Sequence, residues 1–338
     1  MASLLRFRRS TESWSEGRVT DRIYRSLDDA LGAEMTTPWF APPDDYEARR
    51  FEMENGDIAL FAWTEGQAYW MGNTETPEVL WRTEKYDFDE VPPGVADWAE
   101  RELLAQLHEE SPWLTEFPHL SWFFLPVFLS KDGRETSRTF FSEHAAGFPI
   151  DDAEPALEFY ESFLASGVFD DYRHLMAGKL GTSDGLNMIR MTAAMGEFNA
   201  AYLLDAAGYD IEPEAPVSTG HSLDFRVETN DRAHLVEVTH PAPPHRRNAN
   251  SAVEAVKLTA ATKVDGQLDA HGGGVVLLVD CTSFTDAEFE QVMASEPAVG
   301  HRPAVVYRLR PEGTVAGYAD GQVPLDLGLV SERTNEAK

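Results

Sequence analysis

The segment SLDFRVETNDRAHLVEVTH, residues 222–240, carries a clear structural signal. Apolar and polar residues alternate from Ser222 to Glu228 and again from His234 to His240, and the polar pair Asn230-Asp231 stands between the two runs. Successive side chains of a β-strand point to opposite faces of the sheet, so this alternation predicts two strands. The short polar connection predicts that they form a hairpin.

The turn determines which residues of the two strands face each other. If the polar pair forms the central positions of the turn, the numbers of paired residues sum to 461, and Phe225 lies opposite Val236. The apolar faces then match, and Asp224 lies opposite Glu237. Two carboxylates ~4.5–5.5 Å apart destabilise a sheet unless something lies between them. A divalent cation, which takes oxygen ligands, would suit that position.

The sequence on either side of the hairpin predicts an α/β unit. A long helix precedes the hairpin and carries only three charged residues, so we expect it to be buried. A helix, a near-continuous apolar strand, a short helix and a last strand follow the hairpin. These five elements are predicted at Leu186–Ala207, Ser251–Ala270, Val275–Cys281, Asp286–Ala294 and Ala304–Leu309.

This order of elements, with one acidic residue on each hairpin strand, resembles the PD-(D/E)XK nuclease superfamily over residues 184–310. The resemblance implies a restriction-endonuclease-like core in which Asp224 and Glu237 bind Mg²⁺ or Mn²⁺. It also implies a third metal ligand from the preceding helix, where Glu197 lies, and the Val238 carbonyl can complete the shell. The whole chain further resembles uncharacterised haloarchaeal proteins, and that resemblance implies no activity.

One position departs from the superfamily pattern. A lysine is expected two residues after the second acid, and this chain has Thr239 there. Some members of the superfamily take the cation from the next helix, where Lys257 and Lys263 lie. These two lysines are six residues apart and point about 120° away from each other on a helix. Lys263 is the preferred replacement, because Thr259 and Gln267 share its i, i+4 row and can hydrogen-bond to phosphate or water.

The resemblance therefore implies a metal-dependent phosphodiester hydrolase acting on nucleic acid, with Asp224, Glu237 and Lys263 as catalytic residues. The local charge agrees, because residues 238–264 contain four cations and one acid in an otherwise acidic chain. The predicted nucleic-acid-binding residues are Arg246, Arg247, Lys257 and Gln267.

Two other functions are compatible with the same residues. The first is a nuclease-like domain that has lost catalysis with its lysine and binds nucleic acid or protein. The second is an acidic interaction protein in which this fold serves only as a scaffold.

Each site residue also has a structural interpretation. Asp224 and Glu237 could form a solvated acidic hairpin face, and Lys263 could make only a surface contact. Glu197 could belong to an internal ion pair with Arg190 or Arg226. The loop that contains His240 and His245 is rich in proline, which favours a mobile connection over a zinc site.

Residues 1–180 are predicted to form an aromatic-rich α+β domain, because all eight tryptophans lie between Trp14 and Trp122. Short alternating runs predict a meander. The nuclease-like domain is expected at residues 181–310 and a partly disordered C-terminal extension at 311–338. The individual elements of the first domain are strands at Arg50–Met53, Ile58–Trp63, Gln67–Met71, Val79–Arg82 and Leu120–Leu129, and helices at Gly94–Glu109, Ala153–Leu164 and Asp170–Ala177.

Composition limits the environment and the cofactors. The 338 residues include 58 acids and 28 Lys or Arg, a net charge of −30, and only six are lysine. Such an acidic surface is typical of a halophilic cytoplasm, where the Debye length is ~3 Å at 1 M salt. The single cysteine, Cys281, excludes internal disulfides and a cysteine-based zinc site.

No signal peptide or membrane span is expected, because residues 1–9 lack an apolar segment and Leu120–Leu129 is too short to cross a bilayer. The glycines at 272–274 lack the lysine and the spacing of a phosphate-binding loop, so no nucleotide cofactor is predicted.

Overall fold

The computed structural model describes residues 4–181, 185–216, 222–229, 232–246, 249–268 and 274–329. This part of the chain contains both helices and strands and has a mixed α/β fold. The strands are β1 (Phe7–Ser10), β2 (Glu34–Thr36), β3 (Glu47–Glu52), β4 (Ile58–Trp63), β5 (Ala68–Gly72), β6 (Lys85–Tyr86), β7 (Asp210–Pro216), β8 (Ser222–Glu228), β9 (Ala233–Thr239), β10 (Val275–Asp280), β11 (Ala304–Leu309) and β12 (Val315–Asp320). The α-helices are α1 (Glu16–Val19), α2 (Arg25–Leu31), α3 (Pro93–Glu110), α4 (Pro118–Phe128), α5 (Arg134–Ser142), α6 (Glu154–Leu164), α7 (Arg173–Leu180), α8 (Met188–Ala206), α9 (Ala252–Lys263) and α10 (Asp286–Ser295).

The chain divides into two compact units, and the described residues of each form one six-stranded sheet. Unit 1 comprises Met1–Arg138 and Arg173–Gly185. Unit 2 comprises Thr139–Tyr172 and Leu186–Lys338. None of the described helices is both long and apolar enough to cross a membrane.

Unit 1 is built on an antiparallel sheet with the strand order β2-β3-β4-β5-β1-β6. The predicted meander is confirmed, because β3, β4 and β5 pair in sequence. An aromatic cluster packs against this sheet, and within it Phe61 contacts Trp14 at 4.9 Å and Trp63 at 5.7 Å between ring centroids. Three of the eight tryptophans, Trp14, Trp63 and Trp70, belong to this cluster.

Two predicted strands of unit 1 are wrong. Leu120–Leu129 lies within α4 and the turn that ends it, and Val79–Arg82 overlaps a single 3₁₀ turn at Glu78–Leu80. A short run that is apolar throughout fits a buried helix as well as a buried strand, because its periodicity does not distinguish them. Pro118, at the first position of α4, was the available helix signal.

Unit 2 has the strand order β12-β11-β10-β9-β8-β7. Strands β9, β10 and β11 are parallel, and the other neighbouring pairs are antiparallel. The predicted sequence of helix, two hairpin strands, helix, strand, helix and strand is confirmed as α8, β8, β9, α9, β10, α10 and β11. The two strands that were missed, β7 and β12, are the edges of the sheet, where prolines and glycines are tolerated and weaken the sequence pattern.

The hairpin has the predicted register. Phe225 pairs with Val236, and the numbers of all the paired residues between β8 and β9 sum to 461. Phe225, Val227 and Val236 are fully buried on one face. The predicted turn residues, at 230 and 231, lie outside the described residues.

The predicted boundary at residue 180 divides unit 2, because Thr139–Tyr172 packs with that unit. In it, the Phe159 ring lies 4.7 Å from Tyr202, and the Phe169 ring stacks on Phe225. Residues 315–320, predicted to belong to a C-terminal extension, form β12 against β11. The tryptophans end at Trp122, well before the predicted boundary, and the phenylalanines and tyrosines of residues 139–172 belong to the second unit.

A fragment covering residues 139–338 should therefore unfold cooperatively in molar salt, whereas one covering 186–338 should not. The shorter fragment loses the aromatic contacts of α6 and the Phe169 segment, and each large buried side chain lost costs ~3–5 kcal/mol. Chemical denaturation followed by circular dichroism checks this. Equal stability of the two fragments would show that Thr139–Tyr172 contributes nothing to the core of unit 2.

Candidate functional site

The site forms where β8 and β9 stop pairing through their backbones. Their ladder ends at the pair Phe225 and Val236. At the next position side chains bridge the strands, because the Asp224 Oδ2 accepts the Val238 N–H at 2.8 Å and the Glu237 Oε2 accepts the Asp224 N–H at 3.3 Å. The two acids predicted from the register are thus neighbours at this junction.

A group of three carboxylates surrounds the junction. Glu197 from α8, Glu214 from β7 and Asp224 from β8 each offer an oxygen, and these oxygens lie within 4.8 Å of one another. Several carboxylate oxygens this close together suit a hard divalent cation such as Mg²⁺ or Mn²⁺. The group includes two of the predicted metal ligands, Glu197 and Asp224, but Glu237 is not part of it.

Glu214 was missed because its strand was missed. It faces Asp224 in the β7–β8 ladder, between the pairs Pro213–Phe225 and Ala215–Leu223. Its φ of 54° lies in the left-handed region, which is uncommon for residues other than glycine. The spacing of Asp210, Glu212 and Glu214 has the period of two that predicts a strand with an acidic face, so a signal was present.

Glu237 is buried and is paired with a lysine. Its side chain is 1% exposed, and Lys263 Nζ lies 2.5 Å from its Oε1. Burial raises the pKa of the Glu237 carboxyl, and the charge of Asp224 raises that pKa further. The ammonium of Lys263 acts in the opposite direction and lowers it.

The rotation of α9 brings Lys263 to this position. Ser251 caps the helix by accepting the Glu254 N–H, and the buried side chains of Val256 and Ala260 pack with β10 in the core. This packing directs Lys263, at the end of α9, towards Glu237. Lys257 is exposed. The lysine that contacts Glu237 is therefore Lys263, the one preferred from the sequence.

Among the described residues, the other polar side chains considered from the sequence make no contact with the site carboxylates that the structure shows. Arg226 pairs with Glu212 at 3.6 Å and with Glu228 at 2.7 Å, and neither belongs to the group of three carboxylates. Arg246 is exposed on a 3₁₀ turn after β9. Arg247 and the side chain of Gln267 lie outside the described residues.

A second polar cluster lies at the carboxyl ends of β9 and β10. Asp280 Oδ2 lies 3.1 Å from His240 Nδ1 and accepts the Asn199 amide at 2.9 Å, and its Oδ1 accepts the Thr282 N–H. His240 Nε2 lies 2.8 Å from Ser283 Oγ. Both ring nitrogens of His240 are thus engaged, and the residue fixes the strand ends rather than belonging to a mobile loop.

The hydrogen bonds in this cluster run from serine to histidine to aspartate, the order found in many hydrolases. A nucleophile must reach its substrate, but Ser283 is 5% exposed and the side chains of His240 and Asp280 are 3% and 0% exposed. We therefore interpret the cluster as a buried network that joins α8 to the two strands.

Gly196 allows α8 to approach this network. A Cβ on that residue would lie 3.1 Å from Asp280 Oδ2 and 3.2 Å from His240 Nδ1. Glu197 is the next residue in the helix. The close approach at Gly196 thus helps to place Glu197 near Asp224.

A family model described as "Family of unknown function (DUF5784)" matches residues 2–327. The chain belongs to this family. None of the curated proteins compared with the chain matches it. The DUF5784 match covers the described parts of both units almost completely, from before β1 to beyond β12.

Gly196→Ala should destabilise this DUF5784 protein by about 1–3 kcal/mol, the usual cost of overpacking. Alanine gains up to ~1 kcal/mol in helix propensity, but the atoms it meets belong to a fully hydrogen-bonded network that cannot easily move. Denaturant unfolding measures the change. The matched control is Gly17→Ala, a helical glycine with nothing within 4 Å of the added Cβ, which should be neutral or stabilising. A Gly196→Ala variant as stable as the wild type would contradict the packing argument.

Glu237→Gln should change how stability depends on pH. The folded-state pKa of Glu237 is raised, so the stability linked to it is complete below the ordinary glutamate pKa and is lost as the pH rises through the raised value. The glutamine variant lacks this loss. Its free energy of unfolding should therefore gain on the wild type as the pH rises through that window, by at most about 1.4 kcal/mol per pH unit.

Unfolding titrations across the acidic range check this, with Asp286→Asn as the comparison. Arg310, and then Arg308, lower the pKa of Asp286, so removing that carboxylate should change the pH dependence in the opposite direction. A Glu237→Gln curve parallel to the wild type would show that the carboxylate is not perturbed.

Proposed function

We propose that unit 2 is a metal-dependent phosphodiester hydrolase that acts on nucleic acid. The observation that carries the proposal is the contact of Lys263 with Glu237 beside the group formed by Glu197, Glu214 and Asp224. A phosphodiester hydrolase needs oxygen ligands for a cation and a positive side chain close to them, and this junction supplies both.

The topology supports a restriction-endonuclease-like core. Between α8 and α9 the chain forms the antiparallel strands β7, β8 and β9, and β10 then joins β9 in parallel. The acids lie at the junction of the two hairpin strands and on the preceding helix, as the resemblance to PD-(D/E)XK nucleases implies.

The residues of the junction fit a divalent cation by their chemistry, because all the donors are carboxylate oxygens. Glu197, Glu214 and Asp224 would hold the ion, and Glu237 lies next to them through its bond to the Asp224 amide. When bound, the ion would lower the pKa of a coordinated water and neutralise charge on the phosphate.

Lys263 would take the role of the lysine that is missing at Thr239. Its ammonium is already held beside the acids, which limits the reorganisation needed when negative charge develops on the phosphate. Its present partner is the Glu237 carboxylate, so an entering phosphate oxygen would share or replace that contact.

Nucleic acid must approach a chain with a net charge of −30. At molar salt, contacts that depend on long-range attraction to phosphates are weak. Binding would therefore rely on contacts made at the junction itself, together with exposed cations such as Arg246 and Lys257.

The same pair of residues favours a second candidate, a nuclease-like binding module without catalysis. Lys263 and Glu237 neutralise each other, and the superfamily's own lysine position holds Thr239, which is buried. A module of this kind would bind nucleic acid or protein and would not cleave it.

Mn²⁺ titration calorimetry in molar KCl, paired with cleavage assays, tests the proposal. Asp224→Asn should abolish Mn²⁺ binding while keeping the fold, because the asparagine oxygen can still accept the Val238 N–H. Glu214→Gln should weaken Mn²⁺ binding at least tenfold. Lys263→Ala should keep Mn²⁺ binding and lose ~10²–10³-fold in cleavage rate, as expected when one group that stabilises transition-state charge is removed.

Lys257→Ala is the matched lysine control on the same helix and should only weaken substrate binding, more so at low salt. If the wild type binds neither Mn²⁺ nor Mg²⁺, the metal site is wrong. If it binds metal and nucleic acid but cleaves no DNA or RNA substrate, the binding module stands instead.

A further inference from the structure

Unit 1 contains a small basic cleft that the proposed function does not use. It has a volume of about 210 Å³ and lies where β1, β5 and β6 meet the segment after β5. Four of the chain's 28 cations line it, together with two buried polar side chains. These six residues are Arg6, Arg8, Lys85, Lys131, Asn73 and Thr74.

The two buried polar side chains carry hydrogen-bonding atoms that are not used. Asn73 is 2% exposed and Thr74 is 6% exposed, and neither the Asn73 Nδ2 nor the Thr74 Oγ1 has a partner among the described residues. Exchanging the oxygen and nitrogen of the Asn73 side-chain amide would not give the nitrogen a partner, because the Oδ1 position accepts the Ile58 N–H at 2.8 Å. Its amide nitrogen is therefore fixed as a donor, and buried donors are nearly always satisfied.

Among the residues that the structure describes, no carboxylate pairs with Arg8. Its guanidinium donates to the Thr76 hydroxyl at 3.1 Å and to the backbone carbonyls of Leu80, Trp81 and Thr83, which are all neutral acceptors. Burial lowers the pKa of this guanidinium. Arg8 is thus a fixed positive charge, held rigidly by the backbone around it.

Lys85 lies next to Arg8, since the two residues are paired between β1 and β6. It has no ion-pair partner in the described part of the chain. Burial, followed by the charges of Arg8 and Arg6, lowers its pKa. The other two cations are neutralised, Arg6 by Asp87 at 2.6 Å and Lys131 by Glu75 at 3.4 Å.

We propose that this cleft binds a phosphate group, either as inorganic phosphate or as the terminal phosphate of a mononucleotide. A phosphate carries ~1.5–2 negative charges near pH 7 and offers several strong acceptor oxygens. It would take hydrogen bonds from the Asn73 amide and the Thr74 hydroxyl and would compensate Arg8 and Lys85. Two carboxylates, Glu75 and Asp132, also border the cleft. The ion pair with Lys131 compensates the negative charge of Glu75, which reduces its repulsion of a phosphate.

Calorimetric titration of the full chain with potassium phosphate in molar KCl tests the site. The wild type should bind one phosphate saturably, in competition with chloride. Asn73→Asp keeps the oxygen that accepts the Ile58 N–H but replaces the donor with a second acidic oxygen, so phosphate affinity should fall at least tenfold. Lys85→Ala should weaken binding several-fold.

Arg82→Ala is the matched charge control. Arg82 is an exposed cation three residues before Lys85, and it does not line the cleft. Its removal changes the net charge of the chain by the same amount as Lys85→Ala. If Arg82→Ala binds phosphate as tightly as the wild type, the result supports a defined site. If Arg82→Ala and Lys85→Ala lose the same phosphate affinity, only the net charge of the chain matters and the proposal is overturned.

Thr74→Val keeps the test decisive if the Asn73 variant does not fold. Valine has the shape of threonine without the unpaired hydroxyl, so the free protein should be at least as stable as the wild type. The rise in melting temperature that phosphate causes in the wild type should shrink in this variant. If the shift stays complete, or if the wild type shows no saturable phosphate binding, the site is rejected.

Parallel titrations with AMP and adenosine distinguish the two sources of phosphate. AMP binding more tightly than phosphate, with adenosine inert, assigns the site to a nucleotide. Equal affinity for AMP and phosphate assigns it to the free ion. Adenosine binding as tightly as AMP would show that the phosphate group is not recognised and would overturn the proposal.

Discussion

A buried carboxylate constrains the whole of unit 2. Glu237 lies in a central strand with almost no access to water, and a charge in that position must be matched by another charge or by hydrogen bonds. Lys263 provides the charge and the Asp224 amide provides a hydrogen bond. The rotation of α9 brings Lys263 to this carboxylate, and the Asp224 N–H donates to it just beyond the end of the β8–β9 ladder. A buried ion pair is often no more stabilising than apolar side chains of the same volume. We therefore connect the pair of Glu237 and Lys263 with the proposed function and not with stability.

The hairpin and its register were predictable because they depend on local rules. The alternation of side chains and the length of the turn place Phe225 opposite Val236 without information from the rest of the fold. The acids at 224 and 237 follow from that register. The choice of Lys263 over Lys257 also rested on helix geometry, since Lys263 shares an i, i+4 row with Thr259 and Gln267.

The features that were missed depend on contacts distant in sequence. α4 was mistaken for a strand, because its burial on nearly all sides removes the periodicity that distinguishes the two structures. Glu214 lies on an edge strand with prolines, which the pattern rules discount. The network of Asp280, His240 and Ser283 joins the ends of two parallel strands 40 residues apart, and no local spacing predicts it.

The division of the chain has a consequence for how such proteins can change over generations. The backbone leaves unit 1 after Arg138, returns at Arg173 and leaves again after Gly185, so neither unit is encoded by one uninterrupted stretch. A recombination event that exchanged either unit by a single crossover would carry a piece of the other with it and would leave both cores incomplete. The two units are therefore expected to be inherited together, and a single family match that spans residues 2–327 agrees with joint inheritance.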